Sequence, residues 1–278
     1  MAAPPNAFSS ELQKWIYNRS VGSIFFITIG PKASAINALI ALMNKVETVP
    51  AEKRAAELDL RGQNCTGVVV EEADDHLKIL TCAHLMQHVF KSSEPLSLKD
   101  ACSLFSVRVL CDHYEQSFRG QSRIRARVYA PASMIGINCE KDLLLLHVYR
   151  PDIKNLGRRC TNSHQGLILS PTPPEAFDKC AMISWPPGLP RTAVEGSISH
   201  PSRTVRDLEL VNTVGYTMNL TQVVIASEKG SSGAPLLDGN GRIIGLLHGG
   251  FGGQFTYFIS HADIGCFLRR HHVVHGML

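Results

Sequence analysis

Short runs of β-branched, aromatic and apolar residues recur along this chain, each closed off by Gly, Pro, Asp or Asn, and that rhythm constrains the fold more than any other feature. A first series lies at 21–29, 67–70, 77–81, 106–111, 123–129 and 143–148. A polar, proline-containing linker near 151–165 separates it from a second series at 166–170, 180–185, 194–199, 208–214, 222–226, 235–237, 242–247 and 255–259. Short strands with turn residues between them suit antiparallel barrels, in which closure removes the exposed sheet edge. The expected fold is therefore all-β: two six-stranded antiparallel barrels, over 21–150 and 165–260, in one domain spanning 1–278.

Three segments break the rhythm. Residues 8–17 read as an amphipathic helix within an N-terminal extension of 1–20. The stretch 33–60 lacks period-two alternation and is rich in Ala, Leu, Lys and Glu, so it reads as a helical insertion, bounded at 31–62, in the first barrel. A last helix starts at Ser260, with Asp263 three residues on as a variant capping box, and occupies 261–278. With 278 residues of which 44% are apolar, the chain can bury a substantial core.

Gly230-Ser231-Ser232-Gly233-Ala234-Pro235 has the form of a tight turn that displays a serine. A serine hydroxyl is a weak nucleophile near neutral pH unless a base and an orienting group attend it. The apolar run Ile79-Leu80-Thr81 leads through Cys82 and Ala83 to His84, which suits an imidazole at a strand's end. Asp142 directly precedes Leu143-Leu144-Leu145-Leu146, the pattern of a buried strand with a carboxylate at its mouth.

The order His84, Asp142, Ser232 and the residues around each resemble the chymotrypsin-like serine proteases. Within that family the chain looks most like the Deg/HtrA proteases and the glutamyl endopeptidases. Ala181 to Gly188, the Thr192 to Ser199 stretch, and Gly241 to Gly250 carry this closer likeness, which covers about 64 to 268. The resemblance implies a chymotrypsin-like fold and a serine endopeptidase acting on a polypeptide through an acyl-enzyme. His84 would be the base, Asp142 its orienter and Ser232 the nucleophile. The turn Gly230, Ser231 and Ser232 would form the oxyanion hole, with the N–H groups of Gly230 and Ser232 as donors.

It also implies a substrate pocket lined by Ala226, Ser227, His248, Gly249 and Gly250. Ala226 stands where trypsin-like enzymes place a carboxylate, so Arg/Lys specificity is not expected. His248 sits one position later than the histidine with which glutamyl endopeptidases hold acidic side chains. Ser231 replaces the aspartate that pairs with a newly cut N-terminus, so no such activation step is expected. The alternatives are a protease-fold binding or regulatory module with an inactive or conditionally formed site, and an esterase or acyl-transfer enzyme using the same chemistry. No PDZ domain is expected after the second barrel.

The net charge of +4 gives no case for nucleic-acid binding. Arg119, Arg123, Arg125 and Arg127 form one basic stripe, read as a solvated strand face. No membrane span is expected, since no apolar stretch is long enough. His147 and the cluster His271, His272 and His275 read as packed or solvated residues. The eight cysteines contain no CxxC pair and no zinc-like spacing, so no metal or other cofactor is expected. Several fall within expected strands, which points to free thiols and an intracellular compartment, with secretion as the alternative. The oligomeric state, monomer or homo-oligomer, is left open.

Overall fold

Both series of strands close on themselves. The computed structural model describes residues 8–47, 58–111, 128–155, 158–208, 212–251 and 253–273. Strands β1 (Ile24–Pro31), β2 (Gln63–Glu72), β3 (His76–Thr81), β4 (Phe105–Leu110), β5 (Ala130–Asn138) and β6 (Leu143–Tyr149) form the first barrel, in the order β1-β2-β3-β6-β5-β4. A short ribbon of β7 (Lys154–Asn155) and β8 (Arg158–Arg159) stands in the linker. The second barrel comprises β9 (Lys179–Ser184), β10 (Thr192–Thr204), β11 (Asn219–Val224), β12 (Pro235–Leu237), β13 (Ile243–Gly250) and β14 (Phe255–Ser260). Its closed order, β9-β10-β11-β14-β13-β12, repeats the connectivity of the first. All pairings in both barrels are antiparallel.

The unbroken apolar run of β6 has a simple cause. Leu144, Leu146 and Val148 face the interior of the first barrel, while Leu143 and Leu145 face the layer between the barrels. Strand β1 divides in the same way, with Phe25, Ile27 and Ile29 inward and Ile24 and Phe26 between barrels. A strand buried on both faces loses the polar half of its alternation. Met182, Ile198, Val223, Leu236 and Phe258 fill a separate core inside the second barrel.

Four α-helices pack on this frame among the described residues. α1 (Ser10–Ser20) is capped by the Ser9 hydroxyl, which accepts from Leu12 N, and it buries Leu12 and Ile16 in the layer between barrels. α2 (Ile36–Val46) occupies part of the expected insertion and buries Leu39, Met43 and Val46 on one face. α3 (Leu98–Leu104), capped by Ser97, was not expected from the sequence. α4 (His261–Arg270) begins as read, with Asp263 N donating to Ser260 Oγ at 3.2 Å.

The strand expected at 123–129 falls mainly outside the described residues, as do Arg119, Arg123, Arg125 and Arg127. The described strand in that part of the chain is β5, starting at Ala130. Residues 166–170 contribute one parallel bridge, Leu169 to Ile243, and no full strand. Of the expected strand 208–214, residues 209–211 lie outside the described residues; Leu208 ends a 3₁₀ turn at Arg206–Leu208, and Asn212 Oδ1 accepts from the N–H groups of Gly215 and Tyr216. A short polar side chain that binds nearby backbone offers the chain an alternative to a ladder. Among the described residues no helix is long and apolar enough to cross a membrane.

Candidate active site

Asp142 lies in the turn between β5 and β6 and is fully buried. Its φ of 56° is left-handed, a region that aspartate tolerates better than most residues. Its carboxylate takes three hydrogen bonds. Oδ1 accepts from the backbone N–H of His84 at 2.6 Å, and Oδ2 lies 2.7 Å from His84 Nδ1 and 2.5 Å from His248 Nδ1. An ionised carboxylate can only accept, so both imidazoles present Nδ1–H and keep Nε2 as the acceptor. Burial pushes the Asp142 carboxyl upward, but the His84 charge and the bonds from the two histidines outweigh it and hold the carboxyl well below its usual range.

His84 opens the 3₁₀ turn His84–Val89 that follows β3. Burial disfavours its charged form, yet the Asp142 charge and hydrogen bond prevail and raise its pKa above the ordinary histidine value.

Ser232 sits on the turn before β12, where two glycines are required. At Gly233 (φ 82°) a Cβ would meet Thr66 O at 2.2 Å, and at Gly230 (φ 93°) it would meet Pro187 Cδ at 2.5 Å. Thr66, which belongs to no sequence motif, fastens this turn. Its N–H donates to Ser232 O at 2.8 Å and its hydroxyl to Gly230 O at 3.1 Å, while Trp185 N donates to that hydroxyl at 2.9 Å. Among the described residues neither Gly230 N–H nor Ser232 N–H has a protein acceptor. Ser231 N–H is taken, donating to Glu228 O at 2.9 Å, and the buried Ser231 hydroxyl donates to Ser184 Oγ at 3.1 Å. Ser231 is thus a support of the turn, not a free donor of the expected oxyanion group.

The Ser232 hydroxyl donates to His248 O at 3.3 Å, and no hydrogen bond joins it to His84 among the described residues. Both side chains nevertheless border the same residue, because the His84 and His248 rings meet edge to face with centroids 5.4 Å apart. Tyr216 and Phe251 enclose His248 further, with ring centroids at 5.2 and 5.8 Å.

A cavity of about 830 Å³ opens beside Ser232. Ala226, Ser227, Gly249 and Gly250 line it, together with Leu247 and Thr256. His248, expected in this pocket, is turned away from it. The β13–β14 register shifts between Leu247 and Gly249, and at this irregularity His248 faces Asp142 while Leu247 and Gly249 border the cavity. Among the described residues, charge enters the cavity wall through exposed Glu195, Glu228 and Lys229.

Cys82, His84 and Asp142 are close enough together to suggest a metal site. Burial first, and then the Asp142 charge, push the Cys82 thiol well up, and its Sγ donates to Leu247 O at 3.1 Å. A thiol held in its protonated form is a poor ligand. His147 stacks on His76 with centroids 4.9 Å apart, and the His271 ring packs on Phe267. His275 lies outside the described residues.

The family described as trypsin-like peptidase domain matches residues 65–246, well over half of the chain. No curated protein matches it in sequence. Among solved structures, Deg5 superposes with a TM-score of 0.58 at 16% identity, covering 94% of this chain and 93% of that one. The Rv3671c protease from M. tuberculosis in its active form gives 0.56 at 14% identity, covering 100% and 91%. The inactive form of that protease gives 0.57 at 14%, covering 97% and 98%. At such identities these likenesses speak to the two-barrel fold, while the sequence match extends over the segments bearing His84, Asp142 and Ser232. The chain belongs to the trypsin-like peptidase family.

Proposed function

We propose that this protein is a serine endopeptidase whose His84, Asp142 and Ser232 cleave a polypeptide substrate through an acyl-enzyme. The observation that carries the reading is the buried Asp142 holding His84 by ring and backbone at once, leaving Nε2 as an acceptor at the cleft that also contains Ser232. Rotation of the Ser232 side chain away from the His248 carbonyl frees its hydroxyl for His84. His84 then accepts the proton as Ser232 Oγ attacks the scissile carbonyl, and Asp142 stabilises the imidazolium. The N–H groups of Gly230 and Ser232 stabilise the oxyanion, a contribution on the order of 3 kcal/mol per donor. His84 returns the proton to the leaving amine, and water resolves the ester by the reverse path.

The cavity favours a small or medium uncharged side chain at the cleavage position. Ala226 brings no carboxylate for an Arg or Lys, and His248 is committed to Asp142 and not to an acidic substrate. Neutral Ser231, bonded to Ser184, supports the turn without an N-terminal amine, so no cleavage-dependent activation is required.

A second reading is favoured by the Ser232 bond to His248 O: a protease-fold module whose site forms only under some condition. Fluorophosphonate labelling separates the two. The endopeptidase reading expects labelling at Ser232 that disappears in Ser232→Ala and His84→Ala. Absence of labelling in folded wild-type protein, with no cleavage of a diverse peptide library, would support the module instead. Cleavage of esters without peptides would make it an esterase.

A further inference from the structure

Away from the cleft, Cys111, Cys160 and His164 converge where the linker between the barrels crosses the beginning of β1. The two Sγ atoms and an imidazole nitrogen lie within 4.8 Å of one another. All three residues are buried, with exposures of 1%, 7% and 1%. Cys111 directly follows β4, whereas Cys160 and His164 follow β8.

The histidine is oriented by its second nitrogen. His164 Nδ1 is 2.9 Å from the carbonyl oxygen of Gly22, which can only accept, so the proton resides on Nδ1 and Nε2 carries the lone pair. That Nε2 lies 3.6 Å from Cys160 Sγ. A zinc ion bound at about 2.3 Å from sulfur and about 2.0 Å from nitrogen, with tetrahedral angles, sets the two ligand atoms about 3.5 Å apart. An imidazole whose far N–H is held by a backbone carbonyl is also the usual outer shell of a metal-bound histidine.

The surroundings fit a charged centre. Two thiolates and a neutral imidazole around a divalent cation sum to zero, which suits burial better than either charge alone. Arg191, itself buried, donates Nη2 to the Cys111 carbonyl and Nε to Val21 O at 3.1 Å, which fastens the end of β4 to the start of β1 beside the trio. The ring of Phe25 packs on His164 with centroids 4.9 Å apart, and His164 N–H donates to Glu72 Oε1 at 3.2 Å.

We propose that Cys111 Sγ, Cys160 Sγ and His164 Nε2 bind a zinc ion, which ties the inter-barrel linker to the end of β4 and the start of β1. Both thiols lose their protons to solvent on binding, and the trio supplies three corners of the zinc tetrahedron. Two sulfurs and one imidazole select zinc over the oxygen-seeking cations. None of the three residues lines the cavity beside Ser232, so the role is structural.

The test uses the full chain purified under reducing conditions. Elemental analysis should find about one zinc per chain, and a mercurial that caps thiols should release it to a colorimetric chelator. Replacement by cobalt should bring the near-ultraviolet thiolate charge-transfer band and the visible bands of a tetrahedral ion. Metal removal should lower the melting midpoint by roughly 10 °C, and readdition should restore it. Cys160→Ala and His164→Ala should each lose the zinc. Should either variant fail to fold, the zinc content and cobalt spectrum of the wild type still decide the matter. Folded wild-type chain that carries no zinc and gains no cobalt absorbance would overturn the proposal. So would a Cys111–Cys160 disulfide found by peptide mapping of folded protein.

Discussion

The first barrel presents its half of the cleft already assembled, with His84 fixed on Asp142 by its ring nitrogen and by its backbone. The second barrel presents Ser232 on a turn that is equally well fastened, through Thr66 and two left-handed glycines, yet its hydroxyl points to the His248 carbonyl. The backbone on both sides is set by folding. What differs is the side-chain bonding: the His84 ring is held on Asp142, and the Ser232 hydroxyl on a backbone carbonyl. Under the proposed mechanism, orientation of the base therefore belongs to the fold, whereas engagement of the nucleophile requires a rotation of the Ser232 side chain. Hydrogen bonds in a site without substrate are often incomplete and tighten when the reacting group arrives.

The assembled half can be broken most severely at Asp142. Asp142→Asn preserves shape but offers an N–H where His84 needs an acceptor, so the imidazole is driven to the wrong tautomer. We expect kcat to fall about 10⁴-fold, measured on the best substrate from a peptide library, with KM within a few-fold of wild type. Comparable activity in this variant would show that His84 is not oriented by Asp142.

The nucleophile half is next. Gly230→Ala forces a Cβ against Pro187 and into a left-handed conformation, so the turn must move and the Gly230 N–H with it. Loss of one oxyanion donor predicts a fall of about 10²- to 10³-fold in kcat, and labelling of Ser232 by fluorophosphonate should slow in parallel. If labelling and turnover both persist, Gly230 N–H is not a donor to the oxyanion.

The same asymmetry runs through what the sequence discloses. Strand runs bounded by turn residues, and the flanks of His84, Asp142 and Ser232, are local patterns, and each is readable in a few consecutive residues. The position of β5 and the helix α3 were not legible, since the first depends on pairing with β4 and β6 and the second on a Ser97 cap in a segment without strong periodicity. His248 illustrates the finer limit. It is expected to line the pocket, but the β13–β14 register shifts between Leu247 and Gly249 and its ring bonds Asp142 instead; neither the bulge nor a partner so distant in sequence is readable from neighbouring residues. Thr66 has no local signature at all. Cys111, Cys160 and His164 are brought together only by the fold, and their spacing in the sequence gives no sign of it.

His248 offers the finest test of the difference between the halves, because its ring serves one and its carbonyl holds the other. Its Nδ1–H shares Asp142 Oδ2 with His84 and draws off part of the carboxylate charge. In the wild type, Asp142 raises the His84 pKa, and a protonated His84 cannot accept the Ser232 proton, so the acid limb of kcat/KM should lie above the ordinary histidine value of about 6.5. His248→Ala leaves more of the Asp142 charge to His84, stabilises the imidazolium further and moves that limb to still higher pH. The rate on the alkaline plateau should fall about tenfold, the size of one hydrogen bond of roughly 1–1.5 kcal/mol that positions Asp142. His248→Gln can still donate to Asp142 and should return both limb and plateau most of the way, while the backbone carbonyl that receives Ser232 is present in every variant. A limb that stays in place in His248→Ala, with a plateau lowered equally in His248→Gln, would reduce His248 to a packing residue and leave the charge on Asp142 to His84 alone.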